Sequence, residues 1–343
     1  MEKTNLGERV AVITGGSSGI GFTLAQRLVE AYPSIRLCLA CRNKNKALKA
    51  AQSLKHLGGS AEIQIVILDT SCIKSVYSAA LELKNKYSHI DLLYLNAGIM
   101  VVEGVDWNYV LTSFFSRRVV HMLSTGEGAL KLSDWVTDDG LQAVFQTNLF
   151  GHYVLVKELG SILGTSLNKY SLSQIIWTSS TAAQEFHFFE DDIQHKKGKN
   201  PYASSKYAAD VVSVGLNSRM NKQGIYSHSI CPGLVQSNMT YGILPNWFWT
   251  LILPLIFFMR IFVPSLTTST FNGSESLLWL SSQDPRTLEP QTKYRSLVNV
   301  RGKPYISSEK MKIDPDQAEN LLLKLDKLQN SLKPDVKTSV DSF

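Results

Sequence analysis

Short apolar runs and helix-length amphipathic stretches alternate along the first half of the chain. "VAVIT" at 10–14, "IRLCLAC" at 35–41, "EIQIVILD" at 62–69 and "IDLLYLN" at 90–96 predict strands. Between them, "IGFTLAQRLVEAY", "KNKALKAAQSLKHL" and "IKSVYSAALELKNKY" predict helices. Strands that are apolar throughout, separated by helices, predict a parallel sheet covered on both faces. The pattern resumes with one long helix over 140–159, a strand at "SQIIWTS", a helix over 201–220 and a strand at "GIYSHSI". A further strand is expected at "KPYIS". The fold class is therefore α/β, a doubly wound, mostly parallel sheet of about seven strands in a single domain.

Three stretches break the alternation: 99–139, 181–200 and 243–264. The first is long for a connection in such a domain. The third, "ILPNWFWTLILPLIFFMRIFVP", is almost wholly apolar, with one charge at Arg260. A membrane span, a buried core segment and a lid over an apolar ligand compete for it. Its length fits a bilayer, but Pro245, Pro254 and Pro264 oppose one straight helix. A span would also part the strand before it from the strand after it. The favoured reading is a bent segment dipping into one leaflet, a membrane-associated insertion with Trp247 and Trp249 at the interface. Residues 1–310 thus form one domain, followed by an amphipathic helix at 311–332 and a loose tail at 333–343.

Composition changes this picture little. Charged residues are 19% of 343 and hydrophobic ones 44%, a low charge fraction that suits some contact with lipid. The net charge of +6 comes from scattered clusters, without the basic stripe and interleaved aromatics of a nucleic-acid binder. Attraction to an anionic membrane surface is consistent with it. Cys38 and Cys41 have C-x-x-C spacing but lie three apart on a strand, so they point to opposite faces and pack separately. Nothing indicates a disulfide framework or a metal site. The charged start has no apolar h-region and does not read as a signal peptide. The triplets at Asn238 and Asn272 would go unused in a cytosol-facing domain.

The chemistry sits at strand ends. "TGGSSGIG" joins the first strand to the first helix. There Gly15 permits the turn, Gly19 lets backbone approach a pyrophosphate, and Gly21 allows close helix packing. With Ser17, Ser18 and Ile20 these residues form the expected dinucleotide cradle. The second strand ends in Cys41–Arg42 rather than an acid, which favours NADP(H) over NAD. Asp69 ends the third strand and suits either an adenine contact or a helix N-cap. Asn96 and Gly98 end the fourth strand, beside the same cleft. Tyr202 and Lys206 lie four apart on a predicted helix, so a nearby ammonium can stabilise a phenolate. Ser179 and Ser180 end the preceding strand, and either hydroxyl could orient a carbonyl. Asn148 is placed to hold a water linked to Lys206. Pro232 and Gly233 form a rigid turn against the nicotinamide.

Together, in this order, TGGSSGIG, NAG, Asn148, the serine pair, YASSK and PG resemble the short-chain dehydrogenase/reductase superfamily. The resemblance implies a Rossmann-type fold, with Tyr202 as proton donor and Lys206 tuning the phenol and binding the nicotinamide ribose. It also implies that Ser180 orients the carbonyl, with Ser179 a lesser candidate, and that Asn148 maintains the proton relay. Stretches such as "YLNAGIM", "TDDGLQAVFQTNLFGHY" and "HKKGKNPYASSKYAAD" are similar to the 3-keto-steroid reductases of that superfamily. They imply NADPH-dependent reduction of sterol 3-ketones in cholesterol biosynthesis, extending to the 17-ketone of oestrone. The serine–tyrosine spacing is longer than the superfamily's usual one, so the intervening residues must loop out. Ser237 stands where the family's PGxxxT pattern has threonine. Expected partners are the steroid ketone, a membrane surface, a second copy paired through the long helices, and neighbouring sterol-biosynthesis enzymes. The expected location is the endoplasmic reticulum membrane, with the domain facing the cytosol. Competing readings are a reductase of another lipid ketone (retinoid, acyl or sphingoid) and a non-catalytic membrane scaffold.

Overall fold

The computed structural model describes residues 9–57, 60–114, 116, 118–164, 172–236, 254 and 258–333. Most of the apolar 243–264 segment, Ser237, Asn238 and the tail from 334 onward lie outside the described residues.

The apolar runs form strands β1 Val10–Thr14, β2 Arg36–Cys41, β3 Glu62–Ile67 and β4 Leu92–Leu95. Helices α1 Gly19–Ala31, α2 Lys44–Lys55 and α3 Ile73–Lys86 connect them. In the 99–139 insertion, β5 Val102–Val105 and β6 Leu130–Leu132 make a separate antiparallel ribbon. Between these two strands lie α4 Trp107–Phe114 and α5 Arg118–Thr125. The chain continues through α6 Ala143–Phe145, a π-helical turn Gln146–Phe150 and α7 Gly151–Glu158. It then forms β7 Ser173–Thr178, α8 Pro201–Met220, β8 Ile225–Cys231, β9 Thr292–Val298 and β10 Pro304–Lys310. A C-terminal helix, Pro315–Leu332, ends the described chain.

The main sheet has eight strands in the order β10-β9-β8-β7-β4-β1-β2-β3. All pairings are parallel except β9 with β10. Register places Ile13 opposite Leu39 on one side and Tyr94 on the other. The "KPYIS" stretch is a strand as expected, the antiparallel edge β10, and β9 lies between it and β8. In β9, "TKYRSLV", buried Lys293 and Ser296 interrupt the apolar run that would have revealed it.

Alternation along each strand divides the core. Val10, Val12 and Cys38 face the cluster under α3, α7, α8 and the C-terminal helix. Ala11, Ile13 and Cys41 face the cluster under α1, α2 and the helix Glu275–Ser281. The two cysteines diverge as their spacing requires. Burying a leucine such as Leu24 or Leu28, both fully enclosed, contributes about 2 kcal/mol.

Nearly all of α8 is buried, because the C-terminal helix lies across it. Leu322 sits against Gly215, where a Cβ would come within 2.8 Å of its Cδ1. Asp326 of that helix accepts from Arg219 at 2.8 Å and from the Tyr153 hydroxyl at 2.6 Å. The long-helix face expected to pair with a second copy is therefore covered by the chain's own terminus. Among the described residues no helix is long and apolar enough to cross a membrane.

Candidate active site

In this sheet the strand order reverses between β1 and β4, which opens a crevice at their C-terminal ends. A cavity of about 790 Å³ occupies it. Its lining includes Gly15, Ser17, Ser18, Gly19 and Ile20, then Arg42, Asp69, Asn96 and Gly98. Gly15 turns with φ +69°, in the left-handed region. Gly21 stands behind the turn, where a Cβ would lie 2.6 Å from both the Gly15 oxygen and Asn96 Nδ2. Only a bare α-carbon lets the helix N-terminus approach so closely, and this leaves the cradle open for a phosphate.

Thr14, at the last position of β1, ties the turn to the NAG stretch. Its hydroxyl accepts from Asn96 N at 2.8 Å and Ala97 N at 2.9 Å. The same hydroxyl lies 3.3 Å from the Tyr94 oxygen, to which it can donate, and 3.0 Å from His152 Nε2. The other ring nitrogen of His152, Nδ1, faces the Asn148 oxygen at 3.4 Å. Burial pulls this imidazole down to about 3, so it is neutral.

At the second strand's end, Arg42 is exposed and its Nε lies 3.9 Å from an Asp69 oxygen. Asp69 Oδ1 accepts from Ser71 N and Oγ, at 3.0 and 2.6 Å. It shapes the turn ahead of α3, while the N-cap itself is Cys72. Lys46, one turn into α2, joins Arg42 in the lining.

The structure places the catalytic candidates around the end of β7 and the start of α8. The Ser180 hydroxyl is near enough to the Tyr202 phenol to lower its pKa, whereas Ser179 is buried with its hydroxyl 3.5 Å from the Lys206 oxygen. Successive residues at a strand end point to opposite faces, so only Ser180 reaches the phenol. Burial pushes Tyr202 up to about 12, and the nearby Ser180 hydroxyl acts the other way. Lys206 Nζ instead donates to the Thr178 oxygen at 2.7 Å and lies 5.7 Å from the phenol ring centre. Burial pulls Lys206 down to about 8, with Asp210 and Cys231 acting the other way.

Asn148 sits in an irregular turn. The expected continuous helix over 140–159 is broken at its centre by the π-helical turn carrying Asn148. Gly151 follows with no room for a side chain, since a Cβ would meet the Thr70 oxygen at 2.2 Å. The Asn148 side chain accepts from Ile99 N at 2.7 Å and donates to the Ile99 oxygen at 2.9 Å and Ser205 Oγ at 3.0 Å. These bonds hold the loop after β4 against α8, and Asn148 Oδ1 and Lys206 Nζ both lie beside Gly98, at 3.0 and 3.5 Å from the position of an added Cβ. Pro232 and Gly233 follow β8 and pack under the 265–267 segment, with Thr267 Oγ1 donating to the Pro232 oxygen at 3.0 Å.

Comparison with known proteins agrees with this geometry. The family described as short chain dehydrogenase matches residues 9–246. The chain belongs to the short-chain dehydrogenase family, and it is an oxidoreductase. It is 45% identical over 325 residues to a Homo sapiens protein named 3-keto-steroid reductase/17-beta-hydroxysteroid dehydrogenase 7, covering 95% of this chain and 94% of that one. The Rattus norvegicus protein of the same name is also 45% identical, covering 96% and 98%. The fold matches an actinorhodin polyketide ketoreductase solved with NADPH at a TM-score of 0.56 and 17% identity, over 85% of this chain and 96% of that one.

As a short-chain dehydrogenase the chain departs from the usual serine–tyrosine spacing by folding residues 181–200 outward. Two 3-10 turns, Glu185–His187 and Glu190–Asp192, carry them, and Phe188 rests on Tyr207. Next to Ser180 lies a polar pocket lined by His121, Gln184, Cys231, Lys293, Arg295 and Glu309. Sequence reasoning missed Thr14, Lys46, His152 and Ser205. A threonine closing an apolar strand just before the glycine-rich turn was the one available signal.

Proposed function

We propose that the chain is an NADPH-dependent reductase of steroid 3-ketones, with Tyr202 as proton donor, Lys206 as its charge partner and Ser180 orienting the carbonyl. Ser180 and Tyr202 beside Lys206, with Gly98 of the crevice wall next to Lys206, carry this reading. The shared length with the steroid reductases, insertions included, supports the substrate class. At neutral pH the phenol holds its proton and the ammonium its charge. Tyr202 and Ser180 then both offer O–H groups to one carbonyl oxygen, and the Lys206 charge offsets the phenolate left after the proton leaves. Bound reduced nicotinamide would supply the hydride.

The cradle of Gly15, Ser17, Ser18, Gly19, Ile20 and Gly21 fits the coenzyme's phosphates. Arg42, with Lys46 beside it, would take the 2′-phosphate, and Asp69 the adenine side. Replacing Arg42 with Ala should lower kcat/KM for NADPH about tenfold to a hundredfold and leave NADH use unchanged, as loss of one charge-assisted contact requires. Equal loss with both coenzymes would place Arg42 outside the phosphate site.

The reading extends to the 17-ketone of oestrone and to sterol intermediates of cholesterol biosynthesis. It also extends to the endoplasmic reticulum surface, with the domain facing the cytosol. Phe258, Ile261 and Phe262 are exposed beside the apolar segment, while Arg260 between them turns inward to the Leu266 oxygen at 3.0 Å. Such a patch supports contact with one leaflet. The test is turnover by detergent-solubilised enzyme of a sterol 3-ketone, oestrone, retinal and a sphingoid ketone, each with NADPH and NADH. Turnover of the sterol 3-ketone with NADPH is expected. Preference for retinal or the sphingoid ketone would overturn the substrate class, and no NADPH oxidation with any of them would overturn the enzymatic reading.

A further inference from the structure

One turn beyond Lys206 on α8, Asp210 is almost completely buried, and its Oδ2 accepts from Lys293 Nζ on β9 at 2.6 Å. Lys293 is buried too, at the wall of the polar pocket that holds Ser180. Asp210 Oδ1 has no hydrogen-bond partner. A buried ion pair with an unsatisfied oxygen stabilises a fold poorly, since the desolvation of both charges offsets their attraction. Its position suggests another use. Residues four apart on a helix are neighbours, so the carboxylate stands on the same face as Lys206. The buried ammonium of Lys206 must keep its charge for Tyr202 to release a proton.

We infer that Asp210 and Lys293 are positioning residues, an ion pair behind the reaction centre that sets how firmly Lys206 holds its proton. This rests on the reading of Tyr202 and Lys206 given above. Asp210 acts directly as the nearby negative charge. Lys293 acts through Asp210, by moderating that charge and fixing its rotamer against β9. The other groups facing this region leave the carboxylate as the main lever. Tyr202 shares the helix, and the Cys231 thiol at the end of β8 is held neutral by burial. Arg295 is paired with Glu309 across β9 and β10 at 3.0 Å. His152, from α7, is neutral. Burial draws Lys206 downward and Asp210 draws it upward, while Lys293 is raised because Asp210 outweighs its own burial.

The experiment is the pH profile of kcat/KM for NADPH-dependent reduction in the full chain. Asp210→Asn should move the alkaline limb down by about one pH unit. Lys293→Met should move it up by about half a unit, because the carboxylate is no longer neutralised. The double variant should move it down, by less than Asp210→Asn alone. Opposite displacements from the two single variants are the signature, since damage to packing lowers turnover without moving a limb in either sense. Should Asp210→Asn fail to fold, Lys293→Met and the double variant still give opposite displacements or none. Unmoved limbs in the variants that fold, with Tyr202→Phe inactive, would overturn this inference alone. An active Tyr202→Phe would overturn the underlying reading instead.

Discussion

Tyr202→Phe is expected to lower turnover of a ketone substrate by about a thousandfold or more, with NADPH affinity essentially unchanged. The phenol stands beside Ser180, and burial holds its proton with a pKa raised to about 12. Phenylalanine keeps the ring and removes the one O–H able to give its proton to the carbonyl oxygen. The remaining Ser180 hydroxyl still orients the substrate, so KM should move far less than kcat. Coenzyme binding, followed by quenching of intrinsic fluorescence, should match the parent because the phosphate cradle lies on β1 and α1. Retention of more than a tenth of the parent's turnover would show that another group supplies the proton.

Gly21→Ala is expected to weaken NADPH binding about a hundredfold or more, by forcing the phosphate cradle open. The new methyl would sit 2.6 Å from the Gly15 oxygen and from Asn96 Nδ2. Asn96 could swing away, losing its bond to the Thr14 oxygen at 3.1 Å. Gly15 belongs to the turn backbone and can only move with it. Either response displaces the first turn of α1 from the position that presents its N–H groups. Titration calorimetry with NADPH measures the effect. Gly160→Ala is the control, because nothing lies within 4 Å of its added Cβ and its φ is not in the left-handed region. Equal affinity in both variants would mean that the close approach at Gly21 does not shape the site.

The covered face of α8 bears on assembly. Arg219 binds both Glu319 and Asp326, and Tyr153 and Lys157 share Asp326, so the C-terminal helix is held by charge as well as by Leu321, Leu322 and Leu325. A second copy could use the α7–α8 face only by displacing that helix.

Much of this protein is written locally in its sequence. Apolar strands alternating with helices imply a covered parallel sheet, because backbone periodicity and side-chain burial are properties of contiguous residues. The glycine-rich turn and the Tyr202–Lys206 pair are likewise local, set by one turn and one helical step. The nearness of Ser180 rather than Ser179 to the Tyr202 phenol, the bonds of Asn148 to Ile99 and Ser205, and the link from Thr14 to His152 arose only in three dimensions. So did β9, whose Lys293 looks like an exposed charge until Asp210 meets it from α8. Each of these depends on which face a side chain takes and on partners many residues away. Such contacts are decided by how the layers pack, and local pattern carries no record of them.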